Sequence, residues 1–243
     1  MARLGACGLD KLLAVHNTLY EGMTFDTVEQ AAQELSQTLY REFRESVVLA
    51  RTYLTVPFGG LPASNQKFVR ELAATVDSSL LKDTTPVLTL AGTAGTQADW
   101  NDRRKSVGHV GIPLLSAAFV ESIPMVARLM NEMGLGMSWI EDGDTSLLEK
   151  VLMSRMFYVP NASDAKDTKG RKVIPAQDFV KANNVKTVFG VGGSFIGSKT
   201  LVVLIIFANE TVPKDVAQWF SCTVMKLVAC SFPAMQRGAV LKR

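Results

Sequence analysis

The 243-residue sequence predicts an α+β fold: a central antiparallel sheet with helices packed on its faces, ended by a hairpin and a C-terminal helix. Three observations predict it. Lys186 to Phe195 and Lys199 to Phe207 are extended, largely apolar runs joined by the short turn Ile196-Gly197-Ser198, so they pair as a hairpin and not through a crossover. Asn209 to Asp215 then opens a helix expected to reach about Phe232. Upstream, helix-like and strand-like segments mix without the regular crossovers that a doubly wound parallel sheet requires.

Taken in order, Leu9 to Tyr20 has the apolar spacing of a short amphipathic helix, with Leu9, Leu12, Leu13 and Leu19 recurring at helical intervals. Gly22 interrupts it. Thr24-Phe25-Asp26 offers a cap for a second helix carrying Val28, Ala31, Ala32, Leu35 and Leu39. Ser46 to Val56 alternates as a strand, with Arg51 and Tyr53 on the side opposite Ala50, Thr52 and Leu54. Pro57 and Gly59-Gly60 end it, and a helix over Ser64 to Val76 follows. Pro86 to Ala91 is a strand, Gly92 to Lys105 a polar loop, and Val107 to Leu115 extended or turn-like. Pro124 stands in the first turn of a helix that stops at Gly134. Met137 to Glu141 is a short extended segment and Thr145 to Leu148 a short helix or turn. Leu152 to Val159 is a strand, Asn161 to Lys172 a charged loop, and Pro175 to Ala182 a short helix before the hairpin. No repeat, low-complexity tract or linker divides the chain. It reads as one domain over 1–243: N-terminal helices at 9–42, sheet core and closing helix at 46–232, and a solvated tail at 233–243.

Composition narrows the function. Apolar residues make up 47% of the chain and the net charge is only +3, so there is no concentrated basic footprint and nucleic acid is not an expected partner. The three cysteines, Cys7, Cys222 and Cys230, form no CxxC pair, which fits a reducing, cytoplasmic setting. Met1 to Gly8 has no long apolar core, so no signal peptide is expected. The run Leu201 to Ala208 is too short to cross a bilayer, so no membrane association is expected.

The order of elements resembles a GAF domain over about residues 9 to 232. The phrases that carry the resemblance are Phe157-Tyr158-Val159-Pro160-Asn161-Ala162-Ser163-Asp164, similar to the strand that runs into an Asp-bearing loop, and Phe179 to Val188, similar to the short helix that enters the penultimate strand. The segment Trp100 to Leu114 resembles one found in GAF-like input modules of bacterial histidine kinases and related regulators. The resemblance implies sensing: a small-molecule pocket on one sheet face, and terminal helices that report its state to a histidine kinase or other regulator. The cyclic-nucleotide signature is absent, and no Cys lies near His109 to hold a bilin.

The stretch Trp100 to His109 is the most unusual local chemistry. Arg103 and Arg104 can clamp a carboxylate or phosphate, with Trp100 as a flat wall and Asn101, Asp102 and His109 beside them. The alternative is a solvated loop anchored by an Asp–Arg pair, with Trp100 plugging the core. Arg51, Tyr53, Trp139, Arg155 and Tyr158 are pocket candidates, because a polar or aromatic tip on a strand needs a partner. His16 and His109 are the two histidines of the chain, too few for a usual metal site, and no cofactor is expected. Glu141-Asp142-Gly143-Asp144 reads as a turn and helix cap. Gly190-Val191-Gly192-Gly193 is followed by a strand and lacks the lysine of a phosphate loop. No nucleophile with a base is evident, so an enzyme is not expected.

The closing helix is apolar on nearly all sides: Val212, Val216, Phe220, Val224, Leu227 and Ser231 form one stripe, and Trp219, Cys222, Met225, Val228 and Ala229 much of a second. One stripe can pack on the sheet. The other calls for a second copy, giving a homodimer, or for the segment Leu9 to Tyr40 within the chain. The reading is thus a cytoplasmic, dimeric bacterial sensor domain of two-component type. Its alternative is a protein-interaction scaffold of the same fold without a pocket.

Overall fold

The computed structural model describes residues 2–106, 108–135 and 155–242. The expected segments at Met137 to Glu141 and Thr145 to Leu148, together with Trp139 and the acidic run 141–144, lie outside them. Among the described residues the sheet has six strands: β1 (Val47–Pro57), β2 (Pro86–Gly95), β3 (Gly111–Pro113), β4 (Met156–Val159), β5 (Thr187–Ser194) and β6 (Leu201–Ala208). Their order is β3-β2-β1-β6-β5-β4, and every neighbouring pair is antiparallel. This is the α+β layout that the hairpin predicts, since β5 and β6 do pair, from Thr187 opposite Ala208 to Ser194 opposite Leu201.

Among the described residues the helices are α1 (Leu9–Thr18), α2 (Val28–Glu42), α3 (Ala63–Ala74), α4 (Ala117–Ser122), α5 (Pro124–Glu132), α6 (Gln177–Ala182), α7 (Lys214–Trp219) and α8 (Ser221–Gln236). The sheet separates two cores. On one side Ala50 and Leu54 of β1 and Val202, Leu204 and Ile206 of β6 meet Leu35 and Leu39 of α2 and Val224 and Leu227 of α8. On the other, Leu49 and Tyr53 of β1 and Val203 and Ile205 of β6 meet Val126, Leu129 and Met130 of α5. The period of two along a strand makes this division. A bulge between Thr52 and Tyr53, in the pairing of β1 with β2, marks where the register changes.

Five details differ from the sequence reading. The cap of α2 is Thr27, whose hydroxyl accepts from the Gln30 N–H while the Gln30 side chain accepts from the Thr27 N–H. A capping box of this kind satisfies two otherwise orphaned donors. β2 continues through Gly92 to Gly95, where a loop was expected. A Cβ at Gly92 would sit 2.2 Å from the Ala32 carbonyl oxygen, so the glycine marks the close approach of α2 to the strand and not a break. Gln33 of α2 then holds the strand's backbone, donating to the Thr93 carbonyl (2.9 Å) and accepting from its N–H (3.1 Å).

α4 was not anticipated, although Ser116 caps it by accepting from the Phe119 N–H at 3.2 Å. The single closing helix is two: α7 and α8 meet at Phe220, and α8 passes Pro233 to reach Gln236. Finally, the C-terminal segment is not a free solvated tail. Ala239 and Val240 accept backbone bonds from Val28 (3.0 Å) and Glu29 (2.9 Å) at the start of α2, and Leu241 is buried.

Candidate functional site

Among the described residues two arginines, Arg51 and Arg103, are buried, and they differ in what they hold. Arg103 lies in the turn after the short helical segment Ala98–Asn101. Its Nε and Nη2 donate to Glu29 at 2.6 and 2.8 Å, and Nη1 donates to the Asn65 side-chain oxygen at 3.3 Å. This is a bidentate fork on a carboxylate, the strongest arrangement open to a guanidinium. Arg104 adds a third contact to Glu29 at 3.2 Å, and the Lys242 N–H donates to the same carboxylate at 2.7 Å. The two adjacent arginines therefore clamp an acid of their own chain, 74 residues away in sequence for Arg103.

The neighbours of Arg103 are similarly occupied. Asn101 accepts from the Gly95 N–H and donates back to its carbonyl, both at 3.1 Å, so it closes the end of β2. Asp102 accepts from the Arg104 N–H at 2.9 Å in a local turn. Trp100 packs edge-on against Phe179 with ring centroids 5.4 Å apart, and its carbonyl accepts from the Thr93 hydroxyl. The anchored-loop alternative thus describes the contacts of residues 100 to 104, with Glu29 as the principal acid.

Arg51 is the contrasting case. It is 8% exposed, placed by the alternation of β1 on the same face as Tyr53. Nη2 donates to the Ser106 hydroxyl at 2.7 Å. Nη1 reaches the Tyr53 hydroxyl and the Gly108 carbonyl only at 3.4 Å each, distances at which a hydrogen bond is weak. Nε is buried with no partner among the described residues. Among the described residues no carboxylate pairs with this guanidinium, whereas Arg103 pairs with Glu29. A buried charge without a counter-charge is costly, and a buried donor without an acceptor adds to the cost.

Beside Arg51 lies a cavity of about 40 Å³, lined also by Tyr53, His109, Leu88, Leu129 and Ile205. β1 and β6 supply its floor and α5 one wall. The loop after Arg103 supplies its rim. Gly108 (φ +75°) and His109 (φ +51°) both adopt left-handed backbone, which is uncommon for a histidine and turns the rim back over Arg51. Although His109 is exposed at the surface, desolvation of its ring, and then the Arg51 charge, push its pKa below the usual imidazole range. At neutral pH it is an uncharged donor or acceptor at the mouth of the cavity.

Tyr158 stands apart from this cluster. It packs with the α2 and α8 core, across the sheet from Arg51, and its hydroxyl donates to the Val212 carbonyl at 2.7 Å. It lines a wide open cleft of about 510 Å³ with Arg128, Glu132, Arg155 and Lys214. Arg128 in that cleft is already held by Glu132 at 2.9 Å and by the Tyr158 carbonyl. Of the residues singled out from sequence, the structure brings Arg51, Tyr53 and His109 together, and places Trp100 to Arg104 in an adjoining structural turn. Ser106, Leu88, Leu129 and Ile205 were missed. Ser106 carried no signal of its own, and the three aliphatics read only as core. Among the described residues no cluster of His, Cys, Asp and Glu could hold a metal ion, and no helix is long and apolar enough to cross a membrane.

No known protein family matches the sequence, and no curated protein matches it. Among solved structures the chain is similar to the GAF domain of an Acinetobacter phosphoenolpyruvate-protein phosphotransferase, with 12% identity, 94% of each chain covered and a TM-score of 0.46. It is also similar to the phycocyanobilin-bound GAF domain of a cyanobacterial phytochrome, with 11% identity, 94% of this chain and 95% of that chain covered, and a TM-score of 0.45. Neither likeness transfers a ligand, an activity or a partner to this chain.

Proposed function

We propose that the chain is a GAF-like sensory module that binds a small molecule beside Arg51 and relays the state of that site through its terminal segments. The observation that carries this reading is Arg51 itself: a buried cation with an unpartnered Nε, beside a cavity, on a chain that elsewhere matches its buried arginine to a carboxylate. Binding groups gather on loops held by a rigid scaffold, and here the scaffold is the middle of the sheet.

The relay rests on Glu29. The loop that carries Ser106 and His109 also carries Arg103, which is fixed to Glu29. Glu29 in turn holds the Lys242 N–H, and the start of α2 holds Ala239 and Val240. A shift of the rim therefore has a direct mechanical path to the C-terminal segment. The receiving partner in this reading is a histidine kinase or another regulator in a bacterial cytoplasm, and the module binds and does not catalyse.

The dimer belongs to the same proposal. Met225 of α8 and Ile196 of the β5–β6 turn are exposed, and with Val228 and Phe232 they line an apolar groove of about 520 Å³. That groove also favours the second reading, an interaction scaffold. Native mass spectrometry of the purified chain, before and after denaturation, tests the proposal. A dimer carrying a mass that leaves on denaturation is the expected result. A bare species whose melting temperature no small molecule raises would overturn ligand sensing, and a bare monomer would overturn the dimer.

A further inference from the structure

We infer that the ligand of the Arg51 cavity is a short-chain monocarboxylate, with its carboxylate on Arg51 and its alkyl end among aliphatic side chains. The inference rests on the ligand-sensing reading and deepens it by naming the chemical class. Charge comes first. A guanidinium has five N–H donors, and Arg51 spends them on one good acceptor and two distant ones. The buried Nε–H is left over. Nε lies on the same edge of the guanidinium that Arg103 presents to Glu29 with Nε and Nη2, so the chain itself shows the carboxylate geometry that this edge accepts. On Arg51, Nη2 carries two hydrogens and donates to one acceptor, Ser106, while Nε donates to none among the described residues. A planar oxyanion matches that edge better than a spherical ion does.

Size comes next. The cavity is small, about 40 Å³, above the roughly 10–15 Å³ that a single water needs. A carboxylate with a short alkyl group fits that space. A nucleotide does not. Polarity is the third constraint. Most of the remaining lining is apolar, Leu88, Leu129 and Ile205 among it, and offers nothing to a second charged end. A dicarboxylate or an inorganic oxyanion would leave polar oxygen against aliphatic carbon, at a desolvation cost. The alkyl end of a monocarboxylate gains from the same contact. Tyr53 and the neutral His109 complete the polar side, each able to donate to a carboxylate oxygen.

The test is thermal unfolding of the full chain in formate, acetate and propionate, at constant ionic strength balanced with sodium chloride. A ligand that binds only the folded state raises the melting temperature with its concentration. The expected result is a saturable rise that is larger for propionate than for formate. Arg51→Met should abolish it, since losing a charge-assisted pair costs on the order of 10- to 100-fold in affinity. His109→Asn should weaken it several-fold without unfolding the chain, because the position is at the surface and Asn tolerates left-handed backbone.

Equal rises with nitrate or chloride would overturn the carboxylate class. Equal rises with propionamide would overturn the role of charge while leaving a small-molecule site in place. A flat response of the wild type to all three acids would overturn the inference. The sensing reading would then stand if native mass spectrometry still showed a bound mass, and fall if it showed none.

Discussion

Arg103 lies on the loop that rims Arg51, the two are almost equally buried at 5% and 8% exposed, and they differ in their partners. Arg103 closes a bidentate fork on Glu29. Arg51 leaves a donor buried and empty beside a cavity. The difference shows where the chain uses a charge to build itself and where it holds one in reserve. A buried pair is costly to break by halves, because the remaining partner is stranded. A buried cation with no counter-charge among the described residues is already stranded, so its replacement by an apolar side chain costs little.

The largest expected effect follows from that contrast. Glu29→Ala or Arg103→Met should destabilise the chain by about 3–5 kcal/mol, while Arg51→Met should change it by less than about 1 kcal/mol in the absence of ligand. Urea unfolding midpoints measure all three. Equal losses at Arg103 and Arg51 would erase the distinction and make Arg51 a structural residue. The close approach that positions Glu29 gives the next effect. Gly92→Ala puts a methyl 2.2 Å from the Ala32 carbonyl oxygen, and the forced retreat of α2 should cost about 1–3 kcal/mol. Thr27→Ala removes one half of the capping box at the start of the same helix and should cost about 1 kcal/mol. An unchanged midpoint in either variant would show that α2 does not depend on that contact.

The smallest effect lies in acid. Burial pushes the Glu210 carboxyl up, but the Gly5 N–H, the Ser46 hydroxyl and the Arg3 guanidinium outweigh it and hold the pKa below the usual range. Folding thus favours the ionised form. Its contribution is full above the unfolded pKa and fades as pH falls through the folded one. Glu210→Gln should lower stability at neutral pH and flatten the acid limb below about pH 4. Parallel acid limbs for wild type and variant would show that another carboxyl carries the effect.

What the sequence could show divides along the same line. Strand alternation put Arg51 and Tyr53 on one face, and the structure places them there, because a period of two is local information. Arg103 was legible as unusual but not as occupied, since its partner lies 74 residues away and no local pattern announces it. Gly92 read as a loop because a glycine that admits a helix looks, in one dimension, like one that ends a strand. Arg237 and Lys242 read as a solvated tail because their charge was visible, while the backbone bonds of Ala239 and Val240 were not. Tyr158 groups with Arg51 by chemistry alone, and only the register across the sheet, which aligns Tyr158 with Phe189, Ile206 and Ala50, puts them on opposite faces.

The most direct test of the reserved cation is the pair of arginine Nε–H resonances in a ¹⁵N-labelled sample titrated with sodium propionate. The account predicts that the Arg51 signal, assigned by its loss in Arg51→Met, shifts and saturates while the Arg103 signal stays in place. An Arg51 signal that never moves, or two signals that drift together with salt, would contradict it.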